Sequence, residues 1–83
     1  MLRIAIVDDE PSVVDEIRQI VISFFQAQGK QIDISCFSSG EEIISYHQKY
    51  DLIFLDIQMQ GMDGIRTAQE LRKNDKKAVM IYV

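Results

Sequence analysis

The chain has 83 residues, 47% hydrophobic and 27% charged, which suits one small globular domain and argues against a disordered or fibrous protein. The net charge of −4 and the absence of a basic face argue against nucleic-acid binding by this segment. No apolar run approaches the ~20 residues of a membrane span, and the single cysteine, Cys36, cannot form an internal disulfide. We therefore expect a cytoplasmic protein that does not associate with membranes.

The chain begins with a predicted strand and helix. Leu2–Val7 is rich in branched apolar residues, as in a buried strand, and three acids follow it: Asp8, Asp9 and Glu10. Pro11 fits the first turn of a helix, which Asp8 or Asp9 could cap. Apolar residues recur at helical spacing from Val13 to Phe25, and Gly29 is predicted to end the helix.

A second strand and helix are predicted next. Apolar and polar residues largely alternate over Ile32–Phe37, which is typical of a strand near a sheet edge. Ser38 or Ser39 is the predicted N-cap of the helix, and acids in its first turn favour that assignment. Three residues are predicted on or near one face of this helix: Ile43, Ile44 and His47.

The last three predicted elements complete an alternating pattern. Tyr50–Asp56 contains four consecutive large apolar residues, which suits a parallel strand buried on both faces. A third helix is predicted from Gly64 to Lys73, and a fourth strand from Ala78 to Val83. We expect three helix residues to face inward: Ile65, Ala68 and Leu71. The order β-α-β-α-β-α-β indicates an α/β fold with a parallel sheet and right-handed crossovers.

Acidic residues follow two of these strands. Asp8 and Asp9 end the first strand, and Asp56 ends the third. Because parallel strands all end at the same edge of the sheet, we expect the three carboxylates to converge there. Their mutual repulsion is costly unless a cation lies among them, and oxygen ligands with room for water suit Mg²⁺. Helix capping by Asp8 and Asp9, and a solvated loop position for Asp56, are the alternatives.

Two segments carry a resemblance to a known family. Ile6–Glu10 reads Ile-Val-Asp-Asp-Glu, and Phe54–Gly64 reads Phe-Leu-Asp-Ile-Gln-Met-Gln-Gly-Met-Asp-Gly. Together they resemble the receiver domain of bacterial two-component response regulators, and the resemblance extends over residues 1–83. It implies the flavodoxin-like fold with strand order 2-1-3-4-5. The four strands predicted here would be the first four of that sheet. The Gln58–Gly64 loop also resembles that of regulators with a LytTR-type DNA-binding output.

The resemblance implies a role for each site residue. Asp56 matches the phosphoacceptor, and a sensor histidine kinase would donate the phosphoryl group. Asp8 and Asp9 match the acidic pair that holds Mg²⁺, with Asp9 as the direct ligand and the other acting through water. The main-chain carbonyl of Gln58 matches a further metal ligand. Phosphorylation would then switch an output domain, in many such proteins a transcriptional one.

The sequence departs from the family pattern at two places. A proline commonly occupies the position of Gln60, so we expect a less rigid loop here. By the family pattern a Ser or Thr would follow Val83, and a Lys would end a fifth strand. We therefore expect residues 1–83 to be the N-terminal part of a longer receiver domain, without the fifth strand and last two helices. Such a piece would expose an apolar sheet face and an edge strand and self-associate, for instance as a dimer.

Other functions are weighed against the phosphoacceptor. A receiver-like module that only binds partners or dimerises, without being phosphorylated, would use the same fold. An enzyme is disfavoured, because aspartyl-phosphate hydrolases with a similar nucleophile need a second Asp two residues later, where this sequence has Gln58.

Overall fold

A computed structural model of the protein describes every residue from Met1 to Val83. Strands and helices alternate in the predicted order: β1 Leu2–Val7, α1 Pro11–Ala27, β2 Ile32–Phe37, α2 Gly40–Ser45, β3 Leu52–Leu55, α3 Gly64–Arg72 and β4 Val79–Tyr82. All strand pairs are parallel and lie in the order β2-β1-β3-β4. This confirms the α/β prediction and agrees with the first four strands of the expected sheet.

The two faces of the sheet are covered unequally. On one face, β1 and β3 contribute Ala5, Val7, Ile53 and Leu55 to the main apolar core, together with residues of α2 and α3. On the other face, α1 packs against β1 and β2. Ile81 of β4 lies on that second face, because it is in register with Phe54 and Ile6, and it stays 41% exposed. The second face is therefore open where β4 lies.

The positions where α1 begins and ends agree with the sequence prediction, but the residue at its N-cap does not. Pro11 occupies the first turn as predicted, but the N-cap is Glu10, whose side chain makes no capping hydrogen bond. The prediction that Asp8 or Asp9 caps the helix is therefore wrong. Gly29 has a φ of 67°, and its N–H and that of Lys30 donate to the carbonyls of Gln26 and Phe25. This arrangement ends the helix as predicted.

The second helix is shorter than expected. Ser39 is the N-cap, and its side chain accepts a hydrogen bond of 3.1 Å from the N–H of Glu42. The helix ends at Ser45, so His47 lies beyond it, exposed and with a φ of 52°. The prediction that His47 shares a helix face is therefore wrong.

The inward face of α3 also differs from the prediction. Ile65 is 44% exposed, whereas Thr67 is fully buried beside Ala68. The buried residues of α3 are Gly64, Thr67 and Ala68, and Leu71 packs against the core beside them. This spacing is that of one helix face, and it places Ile65 on the other side. The prediction was wrong at Ile65 because it considered only apolar side chains as inward and so passed over Thr67, which is polar but buried.

The turn before β4 contains a buried carboxylate. Residues 74–77 form a polar turn between α3 and β4, and Asp75 within it is only 7% exposed. Its side chain accepts hydrogen bonds from the N–H groups of Tyr50, Lys77 and Ala78, each of 3.2 Å. Asp75 thus joins the segment before β3 to the segment before β4.

None of the helices is long and apolar enough to cross a membrane.

Candidate functional site

The site lies at the carboxyl edge of the sheet, where β1 and β3 run side by side. Val7 and Leu55 are paired in register, so the residues that follow them, Asp8 and Asp56, leave the sheet together. The N–H of Asp56 donates to the carbonyl of Val7 at 3.0 Å, and the N–H of Asp8 donates to the carbonyl of Phe37 at 3.1 Å. Both acids are therefore placed by the last hydrogen bonds of the sheet.

The three predicted acids meet at this edge. One carboxylate oxygen from each of Asp8, Asp9 and Asp56 lies within 4.8 Å of the others. Asp8 is buried, Asp56 is half-buried and Asp9 is exposed, so the cluster opens to solvent on one side. The expected convergence of residues about fifty positions apart is thus confirmed.

Each carboxylate has one oxygen held by a main-chain N–H. Glu10 donates to Asp8 Oδ1 at 2.9 Å, Gln58 donates to Asp56 Oδ1 at 3.1 Å, and Gln60 donates to Asp9 Oδ2 at 3.2 Å. These bonds fix the orientation of the three groups and leave a second oxygen of each for another ligand. Acceptor oxygens arranged in this way can bind a cation.

The electrostatics of the cluster favour such a cation. Burial, together with the charges of Asp56 and Asp9, raises the pKa of Asp8, against the lowering effect of the Glu10 N–H. No lysine or arginine pairs with these acids, since the one salt bridge of the structure joins Lys73 and Glu70. A hard divalent ion such as Mg²⁺ fits this donor set, because it prefers carboxylate oxygens and retains several waters.

The loop from Ile57 to Asp63 is attached to the site through the start of α3. Gly64 packs so closely against β3 that a β-carbon would overlap the carbonyl oxygen of Asp56. The N–H of Gly64 donates to the carbonyl of Ile57 at 3.0 Å, and Asp63 caps the helix by accepting from the N–H of Arg66 at 2.8 Å. Gly61, with a φ of 76°, adopts the left-handed backbone conformation that this turn uses.

Sequence reasoning overlooked two of these contributions. Gly64 is the first residue of α3, as predicted, but the sequence does not reveal that it allows a close approach between α3 and the end of β3. Asp63 is an N-cap whose signal was present, because an Asp precedes a helical pattern. Gln58 lies next to the site, and its carbonyl as a metal ligand stays a prediction.

Comparisons with known proteins agree with this arrangement. Residues 4–83 match the family described as the response regulator receiver domain. The hybrid signal transduction histidine kinase L of Dictyostelium discoideum is 33% identical over 79 residues, which are 90% of this chain and 4% of that protein. The chain thus corresponds to a small part of that curated relative.

Two solved structures of one relative are also similar. The response regulator TrrA of Thermotoga maritima, in complex with Mg(2+)-BeF, is 39% identical with a TM-score of 0.68, covering 99% of this chain and 68% of that one. A structure of the histidine kinase ThkA in complex with TrrA gives 39% identity and a TM-score of 0.66, covering 99% and 67%. The family match covers residues 4–83, and the sheet order and the acids that follow β1 and β3 agree with it. The chain therefore belongs to the response regulator receiver domain family, a family of two-component signalling modules.

Proposed function

We propose that this receiver domain accepts a phosphoryl group on Asp56 from a sensor histidine kinase in a Mg²⁺-dependent reaction. The observation that carries the proposal is the meeting of Asp8, Asp9 and Asp56 within 4.8 Å. One oxygen of each is held by a main-chain N–H, so the group needs little rearrangement to act.

The proposed reaction assigns a role to each residue. A carboxylate oxygen of Asp56 attacks the phosphorus, the P–N bond to the donor imidazole breaks, and its electron pair returns to the ring nitrogen. Asp8 and Asp9 would hold the cation, with Asp9 as the direct ligand, and the carbonyl of Gln58 would be a further ligand. Bound Mg²⁺ supplies charge neutralisation for the incoming phosphoryl oxygens. The N–H of Gln58 holds Asp56 in place during the attack.

The proposed consequence of phosphorylation is a switch. The acyl phosphate adds charge and acceptor oxygens beside the loop from Ile57 to Asp63, which can bias two arrangements of that loop. We propose that the altered surface acts on an output domain, transcriptional in kind, in the cytoplasm. The solved complex of the relative TrrA with a histidine kinase supports a sensor kinase as the phosphoryl donor.

A matched pair of variants tests the phosphoacceptor. The protein is incubated with Mg²⁺ and acetyl phosphate, and the modified peptide is located by mass spectrometry. We expect an adduct on Asp56 that is lost in Asp56→Asn and when Mg²⁺ is chelated. Asp51→Asn is the control, because Asp51 lies just before the opposite end of β3, so this substitution should leave labelling unchanged. Labelling that persists in Asp56→Asn contradicts the proposal.

A second proposal concerns association, and the exposed apolar residues of β4 favour it. Four residues at this edge of the sheet are more than 40% exposed: Val79, Ile81, Tyr82 and Val83. An edge strand with apolar side chains is prone to pair with another chain. We propose that the 83-residue protein self-associates through β4, which is also how a non-phosphorylated interaction module of this fold would act.

A further inference from the structure

We infer that the main-chain N–H of Gln60 positions the Asp9 carboxylate for the cation, so that metal binding and the loop after Asp56 are coupled. The inference rests on the proposed function and deepens it, because it concerns the same site. It is carried by the 3.2 Å hydrogen bond from the N–H of Gln60 to Asp9 Oδ2, which joins residues 51 positions apart.

Asp9 differs from the other two acids in how it is held. Asp8 and Asp56 each accept an N–H from a residue two positions later, so short-range turns fix their carboxylates. Asp9 is exposed and has no such local donor. Its carboxylate is oriented by the loop of residues 57–63 alone, through Gln60. Without that bond the side chain regains rotational freedom, which metal binding would then have to remove.

The identity of residue 60 decides whether this bond exists. Proline has no N–H and could not donate to Asp9. Proline commonly stands at this position in the family that the sequence resembles, whereas this chain has glutamine. The bond uses the main chain and not the glutamine side chain, so any residue except proline should preserve it. This separates a proline substitution from an alanine substitution at the same position.

The bond leaves one oxygen of Asp9 for the cation. Oδ2 accepts from the N–H of Gln60, so Oδ1 can bind the cation while that hydrogen bond is kept. A partner of this kind typically changes metal affinity by ten- to a hundredfold when it is removed. The exposure of Asp9 places the expected effect at the lower end of that range. Conversely, a bound cation that holds Asp9 should hold the loop at Gln60.

The test measures Mg²⁺ binding by isothermal titration calorimetry in the wild type and three altered proteins. We expect Gln60→Ala to bind with unchanged affinity and Gln60→Pro to bind roughly tenfold more weakly. Because proline also restricts the backbone, a semisynthetic protein with an ester in place of the Met59–Gln60 amide replaces the N–H by an oxygen and keeps both side chains. It should show the same loss. Equal affinity of the ester protein and the wild type overturns the inference.

An independent readout follows the Gln60 amide by NMR. Replacing the acceptor in Asp9→Ala should shift the Gln60 amide proton of the metal-free protein upfield, and Mg²⁺ should slow its exchange in the wild type. An unmoved amide signal in Asp9→Ala overturns the inference. If the wild type binds Mg²⁺ and is phosphorylated, and the ester protein binds Mg²⁺ equally well, this inference alone is overturned. Wild-type protein that binds no Mg²⁺ overturns the proposed function as well.

Discussion

Gly64 lies directly against the main-chain carbonyl of Asp56, so closely that a β-carbon at residue 64 would overlap its oxygen. The contact brings the first turn of α3 to the end of β3, and the hydrogen bond from Gly64 to Ile57 closes the intervening loop. The main chain of Asp56, the proposed phosphoacceptor, is thus in contact with residue 64, where only glycine fits.

Substituting Gly64 should therefore disturb both folding and the site. We expect Gly64→Ala to lower the free energy of unfolding by about 1–3 kcal/mol, because backbone atoms must move apart. The measurement is urea unfolding, with NMR of the Asp56 amide as a local readout. Gly29→Ala is the matched control. It has open space but a φ of 67°, so it should be destabilised by about 1 kcal/mol and leave the Asp56 amide unchanged. An undisturbed Asp56 amide in Gly64→Ala would contradict this account.

Asp75 should make stability depend on pH. Burial alone would raise its pKa, but the N–H groups of Tyr50, Ala78 and Lys77, together with the charge of Lys49, lower the pKa below its usual value. A lowered folded-state pKa means that the stabilisation is complete above the unfolded pKa of about 3.9 and is lost as pH falls through the folded value. Acid unfolding of the wild type should be correspondingly steep.

The variant that tests this point is Asp75→Asn. Asparagine has one side-chain oxygen, whereas the two oxygens of Asp75 accept from three N–H groups. We therefore expect the free energy of unfolding at pH 7 to fall by roughly 1–3 kcal/mol. The difference from wild type should shrink as the pH is lowered below about 4 in urea unfolding experiments. The control is Asp33→Asn, an exposed strand position where the same substitution should change little. A difference that stays constant with pH would show that Asp75 does not carry the effect.

The acidic cluster should cost stability when no cation is bound. Asp8 is buried next to two like charges, so we expect Asp8→Asn to stabilise the metal-free protein by about 1–2 kcal/mol. This is below the ~4 kcal/mol of two unit charges 4 Å apart near a protein surface. Millimolar Mg²⁺ should raise the melting temperature of the wild type more than that of Asp8→Asn. Glu16→Gln, on the exposed side of α1, removes one negative charge elsewhere and should do neither.

Self-association should depend on the apolar side of β4. Analytical ultracentrifugation of the 83-residue protein should show concentration-dependent dimers, and Ile81→Lys should reduce them, because Ile81 is 41% exposed at the edge strand. Ile65→Lys is the control, since Ile65 is similarly exposed on α3. A wild-type protein that stays a compact monomer at high concentration would refute the association.

The sheet and the acidic cluster were predictable because they depend on patterns that burial imposes. The four apolar residues Leu52–Leu55 suit a buried strand, and parallel pairing then carries Asp56 to the edge where Asp8 and Asp9 lie. Both steps use spacing along the chain and no side-chain detail. The resemblance of two short segments to a known family then gave these acids their roles.

The remaining features depend on contacts between elements, which one sequence does not reveal. Thr67 is buried because Gly40 leaves room for its hydroxyl, so a polar residue occupies an inward position. Asp75 lies in a polar turn, and the sequence does not show that three N–H groups face its carboxylate. The Gln60 bond to Asp9 likewise joins two loops that only the fold brings together.

The central claim is that Asp8, Asp9 and Asp56 share one divalent cation. The most direct measurement is a Mg²⁺ titration followed through the side-chain carboxyl ¹³C signals of the three residues. All three signals should move with a single dissociation constant, while the Asp33 signal stays in place and Asp8→Asn weakens the response. Signals of Asp8, Asp9 and Asp56 that do not move at millimolar Mg²⁺, or that move with unrelated constants, would contradict the account.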